Sequence, residues 1–333
     1  MEPADRDRSL PTSPLAAEPA EPLHPQGPSP HAPGSEGRVV LGNLALRLIT
    51  AALLIPPVIW VCYVGGWLFV AVIIAFILLG LNEFYDLISA KGATPHRLLG
   101  NVAAGMLPVI AYIGDASLAN SALTVTLLTL MILQLTKQEI RQAIASVSET
   151  FFGVIYVGWL LSYAVSVRFI SSELERRHGY SFDPQIGFFF MIFCLVAVVG
   201  SDAGAYFVGR KYGRRKLAPL ISPNKSVEGA LGGVLAGGVL AVLTKLVFTW
   251  LIPGDLAKDL GWMAAFAFGM ALAAFAVLGD LIESVLKRDA ALKDAGTLLP
   301  GVGGMLDRID SALLGIPVMY YLLLAYYWTL HAG

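Results

Sequence analysis

The chain has 333 residues, of which 56% are hydrophobic and only 14% charged, with a formal net charge of -1. At a mean hydropathy of +0.69 it has too few charges to coat a water-soluble domain of this size, which excludes that class and points to a membrane protein. The two cysteines, Cys62 and Cys194, both lie in apolar segments, so neither a disulfide framework nor a zinc-ligand spacing is present.

Residues 1–40 are rich in Pro, Ala, Ser and Glu and show no apolar period, the composition of a disordered tail. This tail is expected to be cytoplasmic and to precede a polytopic domain over residues 41–333. It has no basic start followed by a short apolar core and a cleavage site, so it does not read as a secretory signal. Nine apolar runs follow, at about 45–64, 67–88, 99–114, 118–135, 151–168, 185–201, 229–251, 260–280 and 310–330. Runs of roughly 18 apolar residues cross a hydrocarbon core about 30 Å thick as helices. The expected fold is therefore all-α, a polytopic integral membrane protein with about nine transmembrane helices. The third and fourth runs are the weakest, the third being barely long enough and the link between them only GDASLANS, which leaves seven or eight spans as alternatives. Asn82, Glu83 and Asp86, near the end of the second run, read as a wet helix end.

Loop charges orient these runs, because cytoplasmic loops are enriched in Lys and Arg. With the amino terminus inside, the loops holding Lys91 and Arg97, Lys137 and Arg141, GRKYGRRK (209–216), and Lys287, Arg288, Lys293 and Arg308 all fall on the cytoplasmic side. One loop dissents, placing Arg168, Arg176 and Arg177 outside.

Polar chemistry is concentrated in two stretches, residues 201–229 and 279–311, which this topology puts on one face. Asp280 and Glu283 are three apart, as are Asp307 and Asp310, so each pair projects from one side of a helix if the flanks continue the spans. A carboxylate at a span's centre costs roughly 2.5 to 3.5 kcal/mol, and such groups usually line a cavity or pair with something. A divalent cation partners several carboxylates at once, and oxygen-only ligands suit Mg2+. Lys287, Arg288 and Lys293 lie between the acids and are groups that neutralise phosphate oxygens. Carboxylates and bases together suggest metal-assisted phosphoryl chemistry. The segment SPNKS, with Lys225 between Ser222 and Ser226, looks like a phosphate cradle without being a Walker loop. The Gly pairs of EGALGGVLAGGVLAV read as helix-packing residues.

At these residues the chain resembles the phosphatidate cytidylyltransferases, also called CDP-diacylglycerol synthases. The signature reads here as Ser284, Lys287-Arg288, Lys293-Asp294, Pro300-Gly301, Gly303-Gly304 and Asp307-Arg308-Ile309-Asp310, preceded by Gly279-Asp280-Leu281 and Glu283. An earlier block matches as well, at Asp202, Gly204-Ala205-Tyr206, Gly209-Arg210, Ser222-Pro223, Lys225 and Glu228-Gly229. Where the family commonly has histidine before the Gly pair, this chain has Val302, so no imidazole role carries over.

The resemblance implies that CTP and phosphatidate react to give CDP-diacylglycerol and pyrophosphate, with Mg2+ and a second, monovalent cation such as K+. It also implies a homodimer embedded among membrane lipids. A bacterial inner membrane is expected, with an organelle membrane as the alternative, and the loop charges put the active site on the cytoplasmic side; nucleic acid is not an expected partner. Asp280, Asp307 and Asp310 match the family's metal-binding acids. Arg210, Lys225, Lys287, Arg288, Lys293 and Arg308 are candidate phosphate contacts, with Ser222, Asn224, Ser284 and Asp294 as further candidate site residues. A CTP-dependent kinase of a polyprenol or phytol is the neighbouring reading, and it would give a phosphorylated alcohol instead of a CMP-lipid conjugate. A transporter is the reading from another class, and it would disperse its acids along several spans.

Overall fold

The structure, a computed structural model, describes residues 55–136, 143–179, 181–252, 256–292, 296 and 304–331. The expected tail over residues 1–40 lies outside these. Almost everything described is helix, as it must be where no water is available to pair backbone N–H and C=O groups. The first two helices are α1 (Ile55–Val64) and α2 (Gly66–Ala90). Next come α3 (Arg97–Ile113), closed by Gly114 in the left-handed region, and α4 (Ala116–Gln134), opened by Asp115, which accepts from the amides of Ser117 and Leu118.

One continuous span then contains α5 (Ala143–Gly153), a π-helical turn (Val154–Trp159) and α6 (Leu160–Arg168). A short α7 (Ile170–His178) leads to α8 (Ile186–Tyr212). A two-stranded antiparallel hairpin follows, β1 (Lys216–Ala218) and β2 (Ser222–Ser226), pairing Lys216 with Ser226 and Ala218 with Ser222. Then come α9 (Val227–Trp250), α10 (Trp262–Asp289) and α11 (Leu306–His331).

Among the described residues seven helices are long and apolar enough to cross a membrane, fewer than the nine expected. The first expected run is described only over Ile55–Val64, its earlier half lying outside the described residues. The third, Arg97–Ile113, has 17 residues and is about 25 Å long at 1.5 Å per residue, short of the hydrocarbon thickness. The other seven expected runs each coincide with a long helix.

The largest departure is at the two polar stretches, which read as loops and are mostly helix. The eighth helix continues past the expected end at 201 to Tyr212, the tenth past 280 to Asp289, and the last begins at Leu306 instead of 310. The acids and bases in question therefore stand on rigid prolongations of the spans.

Packing confirms the reading of the Gly pairs. A Cβ on Gly237 of α9 would lie 2.5 Å from the Ala273 Cβ on α10 and 3.2 Å from the Ala197 carbonyl on α8, so the three backbones lie against one another because no side chain intervenes.

The dissenting arginines have local duties. Arg168 is buried and donates to the carbonyls of Cys62 (2.5 Å), Tyr63 (3.0 Å) and Pro184 (3.2 Å) and to Oε1 of Gln185 (3.1 Å). It fastens the ends of α1, α6 and α8 together. Arg176 and Arg177 both pair with Glu173 at 2.5 Å. Each of these three charges therefore has a local partner.

Candidate active site

The acids come from two helices that touch. Asp280 and Glu283 lie one turn apart on α10, and Asp310 on the early part of α11. Gly279 allows the approach: a Cβ there would be 2.5 Å from the Asp310 carbonyl oxygen, so any larger residue would push the helices apart. As a result, one carboxylate oxygen from each of Asp280, Glu283 and Asp310 lies within 4.8 Å of the other two. Glu283 has no exposed surface and Asp310 little, and Oε1 of Glu283 has no hydrogen-bond partner among the described residues. Three oxygen donors at this spacing, one of them buried and unsatisfied, fit a hard divalent cation such as Mg2+.

Two lysines sit against the acids. Lys287 lies one turn beyond Glu283, its Nζ 2.5 Å from Glu283 Oε2 and 2.7 Å from Asp307 Oδ1. Lys225 reaches over from β2 to pair with Asp280. The compact carboxylate group thus has Glu283 as its third member, where the resemblance implied Asp307. Asp307 shares Lys287 with Glu283 and accepts from the amide of Gly304 at 2.9 Å.

Asp280 also lines a cavity of about 570 Å³ between α8, the hairpin, the start of α9 and α10. Arg210, Ser222, Asn224 and Lys225 line it too, so five of the expected residues share one space with Asp202 and Tyr206. Arg210 donates to the Tyr206 hydroxyl at 3.0 Å. The hairpin is held in place by Glu228, whose Oε2 accepts from the amides of Arg214 (3.0 Å) and Arg215 (3.1 Å), and by Ser226, which caps α9 through the Gly229 amide. The expected phosphate cradle is thus a strand whose Lys225 faces the acids. Strand, helix ends and carboxylates enclose a space lined by both cations, Arg210 and Lys225, and anions, Asp202 and Asp280, suited to a phosphate group carrying its own metal ion.

Not every expected residue is brought in. Ser284 follows Glu283 on α10 but does not line the cavity. Arg288 is exposed and donates to the carbonyls of Ile221 (3.3 Å) and Leu292 (3.4 Å), tying the end of α10 to the hairpin. Arg308 is exposed on α11. Lys293, Asp294 and Val302 lie outside the described residues. A larger cavity of about 920 Å³ contains none of the expected residues and lies among α3, α4, α6, α7 and α11, by Asp115 and Arg176.

Two residues near the acids were not among the expected site residues. Tyr156, in the π-helical turn, is buried with its hydroxyl unpaired among the described residues, and it lies within electrostatic reach of Glu283 and Asp310. Glu83 was read as part of a wet helix end but is 6% exposed, and it accepts from the Met305 amide at 2.8 Å and the Leu306 amide at 2.7 Å. The signal was there to be read: an ionisable residue set in an apolar span needs a partner. Asp86, by contrast, is solvated and pairs with Arg97 at 2.6 Å, in keeping with a wet end.

A model of the cytidylyltransferase family matches residues 45–326. Among similar proteins, the phosphatidate cytidylyltransferase of Synechocystis is 33% identical over 295 residues, covering 83% of this chain and 94% of that one. The phosphatidate cytidylyltransferases of Haemophilus influenzae and Bacillus subtilis are each 39% identical, over 163 and 169 residues. Those two matches span about half of this chain and 55% of each relative.

Proposed function

The chain belongs to the cytidylyltransferase family, and from that premise we infer that it is a membrane-embedded nucleotidyltransferase joining CTP and phosphatidate to give CDP-diacylglycerol and pyrophosphate. One observation carries this reading beyond family membership: Asp280 belongs at once to the compact carboxylate group and to the wall of the cavity lined by Arg210 and Lys225.

In the reaction an oxygen of the phosphatidate phosphate attacks the α-phosphorus of CTP. A new P–O bond forms, the bond to the β-phosphate oxygen breaks, and pyrophosphate leaves with that electron pair. The lipid phosphate is already ionised near neutral pH, so no side chain need remove a proton, and catalysis rests on positioning and charge. Arg210 and Lys225 meet phosphate oxygens in the cavity, and Ser222 and Asn224 offer hydrogen bonds to the same ligand. Asp280, Glu283 and Asp310 would hold a Mg2+ ion, with Asp307 keeping Lys287 in place beside them. When bound, the ion supplies neutralisation of the triphosphate charge.

The remaining elements of the reading are a second, monovalent cation, a homodimer, and a site facing the cytoplasm from a bacterial inner membrane. Basic residues gathered at the end of the bundle that holds the site support that orientation. Acids gathered at one end, and not dispersed along the spans, favour an enzyme over a transporter.

Incubation of the purified protein with Mg2+, phosphatidate and CTP labelled at the α-phosphate tests the reading. Label is expected in the extracted lipid. Label that enters an alcohol only from the γ-phosphate would mark a kinase and overturn it.

A further inference from the structure

Glu83 lies within the apolar run of α2 and is nearly out of contact with solvent. What offsets a carboxylate at that depth is the start of another helix, since both its oxygens accept from consecutive backbone amides, Met305 and Leu306. Amides that open a helix have no carbonyl partner within it, and negative charge is favoured there. The fit is close: a Cβ on Gly304 would lie 2.6 Å from Glu83 Oε2. Asp307, which meets Lys287, and Asp310, which meets Asp280 and Glu283, follow directly on α11.

We propose that Glu83 is a positioning residue for the acids of α11. By clamping the amides of Met305 and Leu306 it sets the height and rotation of that helix, and so delivers Asp310 to the carboxylate group and Asp307 to Lys287. The inference rests on the metal-assisted reading above, because only there does the placement of Asp310 govern turnover. A merely structural anchor would alter thermal stability and leave the cation affinity of the folded protein unchanged.

The test compares full-length wild type, Glu83→Gln and Glu83→Ala in detergent, with Asp86→Asn as a neighbour on the same helix. Three readouts are taken: amide-hydrogen exchange of the segment containing Met305 and Leu306, Mn2+ affinity by titration of free ion, and unfolding temperature. Glu83→Gln keeps the shape and loses the charge, so it decides the matter even if Glu83→Ala does not fold. It is expected to speed exchange of that segment about 10-fold and to weaken Mn2+ binding by about 10-fold or more, while Asp86→Asn changes neither. Unchanged exchange, or unchanged Mn2+ affinity in folded Glu83→Gln, would overturn the proposal. Wild type that binds no Mn2+ would overturn the metal reading itself, a failure told apart because no substitution is needed to see it.

Discussion

Asp280 has three neighbours with opposite demands, the carboxylates of Glu283 and Asp310 on one hand and the ammonium of Lys225 on the other. A buried group of acids at this spacing repels itself unless cations are present, so substitution should act on function more than on insertion. Asp280→Asn, Asp307→Asn and Asp310→Asn are each expected to lower kcat/KM for CTP by about 100-fold or more, with normal membrane insertion; purified variants near wild-type activity would remove those residues from the machinery. Lys225→Ala should act on nucleotide binding, raising KM for CTP about 10-fold, the worth of one hydrogen bond to a charged group; an unchanged KM with a depressed kcat would show that this lysine serves only the acids. The acids were legible because their spacing along α10 and α11 is local and their setting was too apolar to be casual. The partners of Glu83 were not, because they are 222 and 223 residues away and no local period encodes a contact of that range, although its apolar setting signalled that it needed one.

At the scale of single elements, the apolar runs announced nearly every helix, and the errors were at the ends. Hydropathy falls where charged residues begin, at Asp202 and Asp280, whereas the backbone has no reason to stop there: neither glycine nor proline interrupts α10 between Asp280 and Asp289. The π-helical turn of Val154–Trp159 was equally invisible, since it follows from tertiary packing around Gly153 and Gly158. Arg168 illustrates how one side chain can replace a regular element. It gathers three carbonyls from chain segments that have no helical partner for them. Arg168→Met should leave those acceptors unpaired in a dry setting, at a cost of about 3 kcal/mol or more, read as a drop of several degrees in the detergent unfolding temperature; an unchanged melting curve would show that the carbonyls find other donors.

For the molecule as a whole, the charge pattern of the loops predicted one functional end, and the helix ends carrying Asp280, Lys287 and Asp310 meet one another and the strand carrying Lys225. Lys91 at the end of α2 pairs with Asp289 at the end of α10, closing the same end from the outside. Orientation in the bilayer can be read with a single probe, because Cys62 and Cys194 are both buried and Leu220, in the hairpin turn, is 95% exposed. In Leu220→Cys an impermeant maleimide should label inverted vesicles and spare intact cells; labelling of intact cells would turn the site outward.

The uninterrupted course of α10 fixes a depth. Asp280 stands 18 residues after Trp262 on one continuous helix, about 27 Å along its axis at 1.5 Å per residue. With Trp262 held at the far interface, as tryptophans tend to be, the carboxylates would meet the near leaflet where glycerophospholipids carry their phosphates. A two-tailed substrate would then react without being lifted from the leaflet, its acyl chains still among their neighbours. The same ruler ties turnover to bilayer thickness, since a membrane several ångströms thicker or thinner would draw the ring of acids below, or raise it above, the plane in which lipid headgroups lie.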